Sequence, residues 1–358
     1  MEQLVGKVHH VELVVGNAKQ AAYYYRKAFG FDQVAYRGPE TGDPTRASYV
    51  LRQGDIWMIL TTPLHHLDSL NNWLTLHGDG VRDIALEVAD VDAAYAHAVA
   101  GGAVGEAPPR DHQDAAGTVR TATIRTFGEV LHTMVQRRDY PGFLPGFAPC
   151  EVRGIPTGLT FIDHIVGNVE DRQMERWVDW YDRTLGLGRF VSYDDKDIST
   201  EYTALRSTVV ASADRVLKFP LNEPADGLRK SQIQEYIDAN VTAGVQHIAL
   251  ACDDILAAIT ALRANGVEFL TVPRGYYGNL WDRVGEIGED RDRVRDLGIL
   301  VDRDDQGYLL QLFTRPVQDR PTLFIEIIQR RGSNSFGKGN FKALFETIEQ
   351  EQALRGNL

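Results

Sequence analysis

The chain has 358 residues, 43% of them hydrophobic, a formal net charge of −12 and two cysteines. Nucleic acid is excluded as the main partner, because a phosphate backbone needs a clustered basic face and none is present. With no N-terminal apolar core of a leader, no run of about 18 apolar residues and no disulfide framework, a cytoplasmic setting without a membrane partner is expected.

In chain order, Tyr25 to Phe31 reads as the end of an amphipathic helix stopped by glycine. Gly80 to Leu86 reads as a strand, followed by an Ala-rich helix from Asp90 to about Gly101, and Val130 to Arg138 as a buried strand. Asp139 to Gly158, rich in Pro, Gly and Phe, reads as a linker. It divides the chain into residues 1–145 and 158–358, near the usual size of one domain each.

The second half opens with a strand over Phe161 to Asn168, a helix over Arg172 to Leu185, and strands near Thr200 to Ser207 and Arg215 to Leu221. The pattern then recurs: strand Val245 to Ala251, helix Asp254 to Asn265, and strands near Val267 to Thr271, Tyr308 to Thr314 and Leu323 to Gln329. The charge run Asp282 to Asp296 mixes both signs and reads as a solvated loop or helix. Phe341 to Leu354 carries apolar residues at helical spacing, one buried face, behind a stretch containing Gly332, Gly337 and Gly339 that would permit hinge motion.

The halves are copies. Gly80-Val81-Arg82-Asp83-Ile84-Ala85-Leu86 recurs as Gly244-Val245-Gln246-His247-Ile248-Ala249-Leu250, the copies differing only at two adjacent positions. The expected fold class is therefore α+β: two tandem domains, each of two βαβββ units whose antiparallel strands curl into an open half-barrel, with a C-terminal helix over the site of the second.

Function is expected in the second copy. Its two histidines, His164 and His247, open equivalent strands amid apolar residues, and Glu326 lies within Leu323-Phe324-Ile325-Glu326-Ile327-Ile328. A carboxylate buried in such a run is costly unless it is paired or coordinates a cation. Singly, each residue reads as a satisfied core group, the glutamate through an arginine such as Arg330; together they form a 2-His-1-carboxylate set, which suits Fe(II) oxygen chemistry and can also bind Zn2+. The first-half counterparts, roughly His10, Asp83 and His132, make a differently composed site that is expected to hold no metal.

Phe161-Ile162-Asp163-His164, Lys218 to Ala225, Gly244 to Ala249, Gln311 to Thr322 and Phe336 to Phe341 carry a resemblance to the vicinal-oxygen-chelate superfamily and, within it, to the 4-hydroxyphenylpyruvate dioxygenase family. The resemblance implies one Fe(II) per chain, held by His164, His247 and Glu326, with 4-hydroxyphenylpyruvate and O2 as small-molecule partners, homogentisate as product and a homodimer or homotetramer. It also implies a polar pocket of Ser207, Asn222, Gln232, Gln246 and Gln311, with Ser207, Asn222, Gln246 and Gln311 in catalytic roles, and an aromatic wall of Phe313, Phe336 and Phe341. The related 4-hydroxymandelate synthase, and more distantly an extradiol dioxygenase, are the alternatives; in the former an apolar residue replaces the equivalent of Asn222.

Overall fold

The computed structural model describes residues 4–195, 199–200 and 202–357. The first sheet comprises β1 (Val8–Val14), β2 (Asp32–Arg37), β3 (Arg46–Gln53), β4 (Ile56–Pro63), β5 (Gly80–Glu87), β6 (Val104–Asp114), β7 (Gly117–Arg125), β8 (Leu131–Arg137) and β9 (Ala148–Val152), ordered β6-β7-β8-β5-β1-β4-β3-β2-β9. The second comprises β10 (Leu159–Asn168), β11 (Gly188–Tyr193), β12 (Ala204–Ala211), β13 (Lys218–Ala225), β14 (Gly244–Cys252), β15 (Leu300–Arg303), β16 (Tyr308–Phe313) and β17 (Phe324–Arg331). Its order, read from the β15 end, is β15-β16-β17-β14-β10-β13-β12-β11, which repeats the first strand for strand apart from β9.

The helices are α1 (Ala18–Ala28), α2 (Leu70–His77), α3 (Val91–Ala100), α4 (Met174–Leu185), α5 (Gln232–Asn240), α6 (Ile255–Ala264), α7 (Leu280–Val284), α8 (Arg291–Asp296) and α9 (Phe341–Leu354). Asn17, Asp90 and Asp254 cap α1, α3 and α6 by accepting a backbone N–H, which satisfies donors that a helix start leaves unpaired. The apolar faces of these helices and of α4 join the backs of both sheets in one continuous core.

The fold class is the α+β tandem of βαβββ units. Four details differ from the sequence reading. The sheets are mixed, since β1–β4, β5–β8, β10–β13 and β14–β17 pair parallel. Val267 to Thr271 forms no strand: Phe269 makes a single bridge to Thr314, and the edge strand is β15, reached after α7 and α8 have taken up the charged run. Gly188–Tyr193 and Gln232–Asn240, read as neither strand nor helix, form β11 and α5. Finally, the stretch read as a linker contains β9, paired to β2, and sends Phe143 onto Val50 and Ile59.

The copies meet where glycines allow backbones to touch. A Cβ at Gly101, just after α3, would stand 2.4 Å from the Arg183 carbonyl oxygen of α4. Gly101→Ala is therefore expected to cost roughly 2–3 kcal/mol through overpacking. Chemical denaturation of wild type and variant checks this, and an unchanged midpoint would mean that α3 and α4 do not meet as described.

Candidate metal centre and its pocket

The ligand set follows from strand register. Val166 lies opposite His247 on the antiparallel β10–β14 pair, and Ala249 opposite Glu326 on the parallel β14–β17 pair. Side chains two residues apart share a sheet face, so His164, His247 and Glu326 converge on the concave side. Nε2 of His164 lies 3.1 Å, and Nε2 of His247 3.2 Å, from the same Glu326 oxygen, and the possible ligand atoms of all three residues fall within 4.8 Å of one another. All three are buried, Glu326 to 2% exposure, and its other oxygen, Oε1, has no hydrogen-bond partner among the described residues. A buried carboxylate with one oxygen between two imidazoles and the other unpartnered among the described residues is a fitting donor set for a divalent cation.

Bulges aim the supporting side chains. Between Ile162 and His164, β10 gains a residue relative to β14, and that residue is Asp163; between Val166 and Gly167, β14 gains Gln246. A bulge turns its extra side chain away from strict alternation. Asp163 Oδ1 consequently reaches His164 Nδ1 at 2.8 Å, and Gln246 Oε1 reaches His247 Nδ1 at 2.9 Å. Each ring thus donates from Nδ1 and leaves Nε2 free as a ligand, the usual support for a metal-bound histidine.

The charges are shared out unequally. Burial would raise the Glu326 carboxyl, but His164 and then His247 hold it down at about 2. Burial also opposes protonation of both histidines; Glu326 and Asp163 overcome it at His164, which is raised, whereas at His247 burial prevails and the group is lowered. Asp163 is kept well below the ordinary carboxylate range against its burial by His164 and by Arg330, which grips it through two N–H···O bonds of 2.8 and 2.9 Å.

Every other residue proposed from the sequence, namely Ser207, Asn222, Gln232, Gln246, Gln311, Phe313, Phe336 and Phe341, lines one cavity with the triad. It encloses ≈ 610 Å³ including its mouth and the solvent there. Ser207 and Asn222 are directly opposed on β12 and β13, so hydroxyl and amide stand side by side. Gln232 Nε2 is buried without a partner among the described residues. Phe336 meets His164 edge-on at 5.1 Å, and Phe324 stacks on His247 at 4.8 Å. The roof comes from α9 through Phe341, Leu344, Phe345 and Ile348.

Sequence reading missed Asp163 and Phe324, and it gave Arg330 to the strand glutamate rather than to Asp163, whereas the apolar face read on the last helix, Leu344, Phe345 and Ile348 with Phe341, does line the cavity. The Asp163-His164 doublet was a usable signal, since an acid beside a ligand histidine is a common second partner.

The first copy holds a different set. His10 and Asp83 occupy the positions of His164 and His247. His132 is not the counterpart of Glu326. Gln136 and Gln329 each accept the first backbone N–H of a preceding helix, α3 or α6, from Val91 and Ile255, which aligns the strands with an offset of 193 (329 − 136) and makes Thr133 the counterpart. His132 instead faces the core, bonding the Ile84 carbonyl and the Tyr181 hydroxyl, each at 2.9 Å. Asp83, pushed up to about 7 chiefly by burial, accepts from Thr133 rather than facing a histidine. Tyr140, Phe143, Leu144 and Phe147 fill the hollow.

Two mixed half-barrels, one carrying two histidines and a glutamate on its concave face, define the class: residues 7–126 and 161–312 match the profile of the Glyoxalase/Bleomycin resistance protein/Dioxygenase superfamily. Among curated relatives, 4-hydroxyphenylpyruvate dioxygenase of Caenorhabditis elegans is 51% identical over 98% of this chain and 92% of its own length. That of Dictyostelium discoideum is 50% identical over 98% and 99%. A solved triple mutant of 4-hydroxymandelate synthase from Streptomyces coelicolor superposes with a TM-score of 0.88 at 32% identity, covering 98% of this chain and 99% of that one. The chain belongs to the 4-hydroxyphenylpyruvate dioxygenase family.

Proposed function

We propose that the second copy binds one Fe(II) through His164, His247 and Glu326 and converts 4-hydroxyphenylpyruvate and O2 to homogentisate and CO2. The observation that carries this is the convergence of three buried ligands, at one end of a cavity roofed by phenylalanines, in a chain about half identical to enzymes of that name. When bound, the metal supplies the Lewis acidity and redox chemistry of oxidative decarboxylation and ring hydroxylation. The reaction balances: CO2 leaves, one oxygen atom of O2 completes the new side-chain carboxylate and the other becomes the ring hydroxyl.

The protein's share is orientation and exclusion of water. Gln246 and Gln311 offer uncharged amides beside the ligands for the 2-oxo acid end. Ser207, Asn222 and Gln232 hold the phenol end, and Gln232 brings an amide nitrogen that no described residue satisfies. Phe313, Phe336 and Phe341 confine the ring between them, and α9 closes the cavity. The N-terminal copy, about residues 1–145, serves as a structural partner to the catalytic copy, residues 158–358. A cytoplasmic homodimer or homotetramer completes the reading, in line with the lack of any described helix long and apolar enough to cross a membrane.

Product analysis after incubation with Fe(II), ascorbate, O2 and 4-hydroxyphenylpyruvate tests the assignment. Homogentisate is the expected product, and hydroxymandelate as the main product would transfer the chain to the synthase reading. Asn222→Ile removes the amide opposite Ser207 and is expected to lower the homogentisate yield about tenfold or more, because positioning supplies much of the rate. An unaltered product profile would remove Asn222 from that role.

A further inference from the structure

Arg330 sits behind the metal centre and touches two things at once. Its Nε and Nη2 grip Asp163, the carboxylate that orients His164, while its Nη1 donates to the carbonyls of Ser333 at 3.2 Å and Ser335 at 2.6 Å. The guanidinium also lies over the ring of Phe336, 5.4 Å from its centroid, and that ring meets His164 edge-on. From the other side, Asp304 accepts from the Ser333 hydroxyl and from the backbone N–H groups of Asn334 and Ser335, at 2.8 to 3.0 Å. The turn leading towards α9 is therefore clamped between an arginine on its carbonyls and an aspartate on its amides. Beyond it, Gly337 lies so close to Gln311 that a Cβ there would come within 2.5 Å of the side-chain amide.

The first copy repeats this clamp without the link to a ligand. Arg137 donates to the carbonyls of Tyr140 and Gly142, three and five residues on, as Arg330 does to Ser333 and Ser335. Phe143 meets His10 edge-on at 5.2 Å, as Phe336 meets His164. The residue before the histidine, however, is His9, whose Nδ1 lies 2.7 Å from that of His10, where the second copy has Asp163. The arginine clamp belongs to the fold; only in the second copy does an acid join it to a candidate ligand.

We propose that Arg330 is a positioning residue that couples occupancy of the metal site to order in the turn 333–336 and the start of α9. A metal drawing on His164 Nε2 fixes the ring, the ring fixes Asp163, and the Arg330 fork transmits that alignment to the Ser333 and Ser335 carbonyls and to Phe336. The site would then close fully only when loaded. A planar guanidinium can serve a carboxylate and two carbonyls together, which an ammonium cannot.

This inference rests on the reading that the triad holds a metal, and the test separates the two. Zn(II) affinity of the full chain is measured by chelator competition, and hydrogen exchange of segment 333–345 with and without Zn(II). If wild type binds no metal, or His247→Ala binds as well as wild type, the triad reading fails. Granted binding, the coupling predicts that Zn(II) slows exchange of this segment about tenfold in wild type. In Arg330→Lys that metal-dependent part should vanish and affinity fall roughly 10–100-fold, the loss usual for a supporting partner of a ligand. Arg137→Lys, the same change in the copy without the acid, should loosen residues 140–146 and leave Zn(II) affinity unchanged. Asp163→Asn breaks the chain at its other joint, nearly isosterically, and should also abolish the metal dependence; it decides the matter should Arg330→Lys not fold. Indifference of the wild-type segment to Zn(II), retention of the metal dependence in Asp163→Asn, or an equal loss of affinity in Arg137→Lys would overturn the proposal.

Discussion

Alanine at His164, His247 or Glu326 is expected to abolish turnover and to weaken metal binding by more than the roughly 10–100-fold that loss of a mere supporting partner costs. Two remaining ligands do not hold Fe(II) in a site that must also leave positions open for substrate and O2. Glu326→Ala should separate binding from folding most clearly, because it removes a buried carboxylate whose Oε1 has no partner among the described residues. Its other oxygen pairs with both imidazoles, so the metal-free variant should unfold at a lower denaturant concentration than wild type yet still fold cooperatively, which keeps loss of metal distinct from loss of fold. Asp83→Ala and His132→Ala should keep full metal content, since Asp83 bonds Thr133 and His132 is locked between Ile84 and Tyr181. Elemental analysis of the purified variants, with unfolding curves alongside, reads out every arm; two tightly held metals per wild-type chain, or loss of metal in Asp83→Ala, would break the one-site account.

Ending the chain before Phe341 is expected to harm catalysis more than folding. The roof residues Phe341, Leu344, Phe345 and Ile348 go, while the ligands and both sheets remain. The helix is fastened at its far end by Arg355 to Glu235 at 2.7 and 3.0 Å, by Arg315 to Glu351 at 2.9 Å and by the Thr203 hydroxyl to Glu349 at 2.5 Å. The arginine pairs, whose guanidinium groups are partly exposed, contribute about 1 kcal/mol or less each and the buried Thr203–Glu349 bond roughly 1.5–3 kcal/mol, so the cooperative unfolding transition should survive. Water entering the opened cavity should cut turnover at least about tenfold and release CO2 in excess over homogentisate. Normal turnover with CO2 and homogentisate in equal amounts would leave α9 a packing element only.

The triad was legible because its chemistry conflicts with its surroundings: Glu326 inside an apolar run, and Gln246-His247 replacing Arg82-Asp83 in an otherwise matching heptapeptide. The strand pattern around it was legible for the same reason, through runs of apolar residues. Asp163 was hidden because strict alternation turns it away from His164, and a bulge is a property of two strands in register rather than of one segment. Arg330 was read only as an ordinary partner for a strand glutamate; its three-way role needs a turn that folds back after the strand ends. Val267 to Thr271 looked like a strand from its apolar content, yet the edge of the sheet goes to Leu300–Arg303, which lies against β16 after two short helices. The local pattern could not choose between them.

The stretch between the copies carries a consequence for protein engineering. Under the offset that aligns Arg137 with Arg330, Leu144 corresponds to Gly337 (144 + 193), and Leu144 packs into the first hollow, whereas Gly337 brings no side chain and lies directly against Gln311. One cup is cast solid and the other hollow, and a side chain at a single register position accounts for part of the difference. The solid cup already has a histidine, a carboxylate, Ser48 and Thr61 on its concave face. Carving away Leu144 and its aromatic neighbours would give a designer a vacant second chamber, built on the same strands and several residues short of a metal site, in which a new reaction could be installed without disturbing the first.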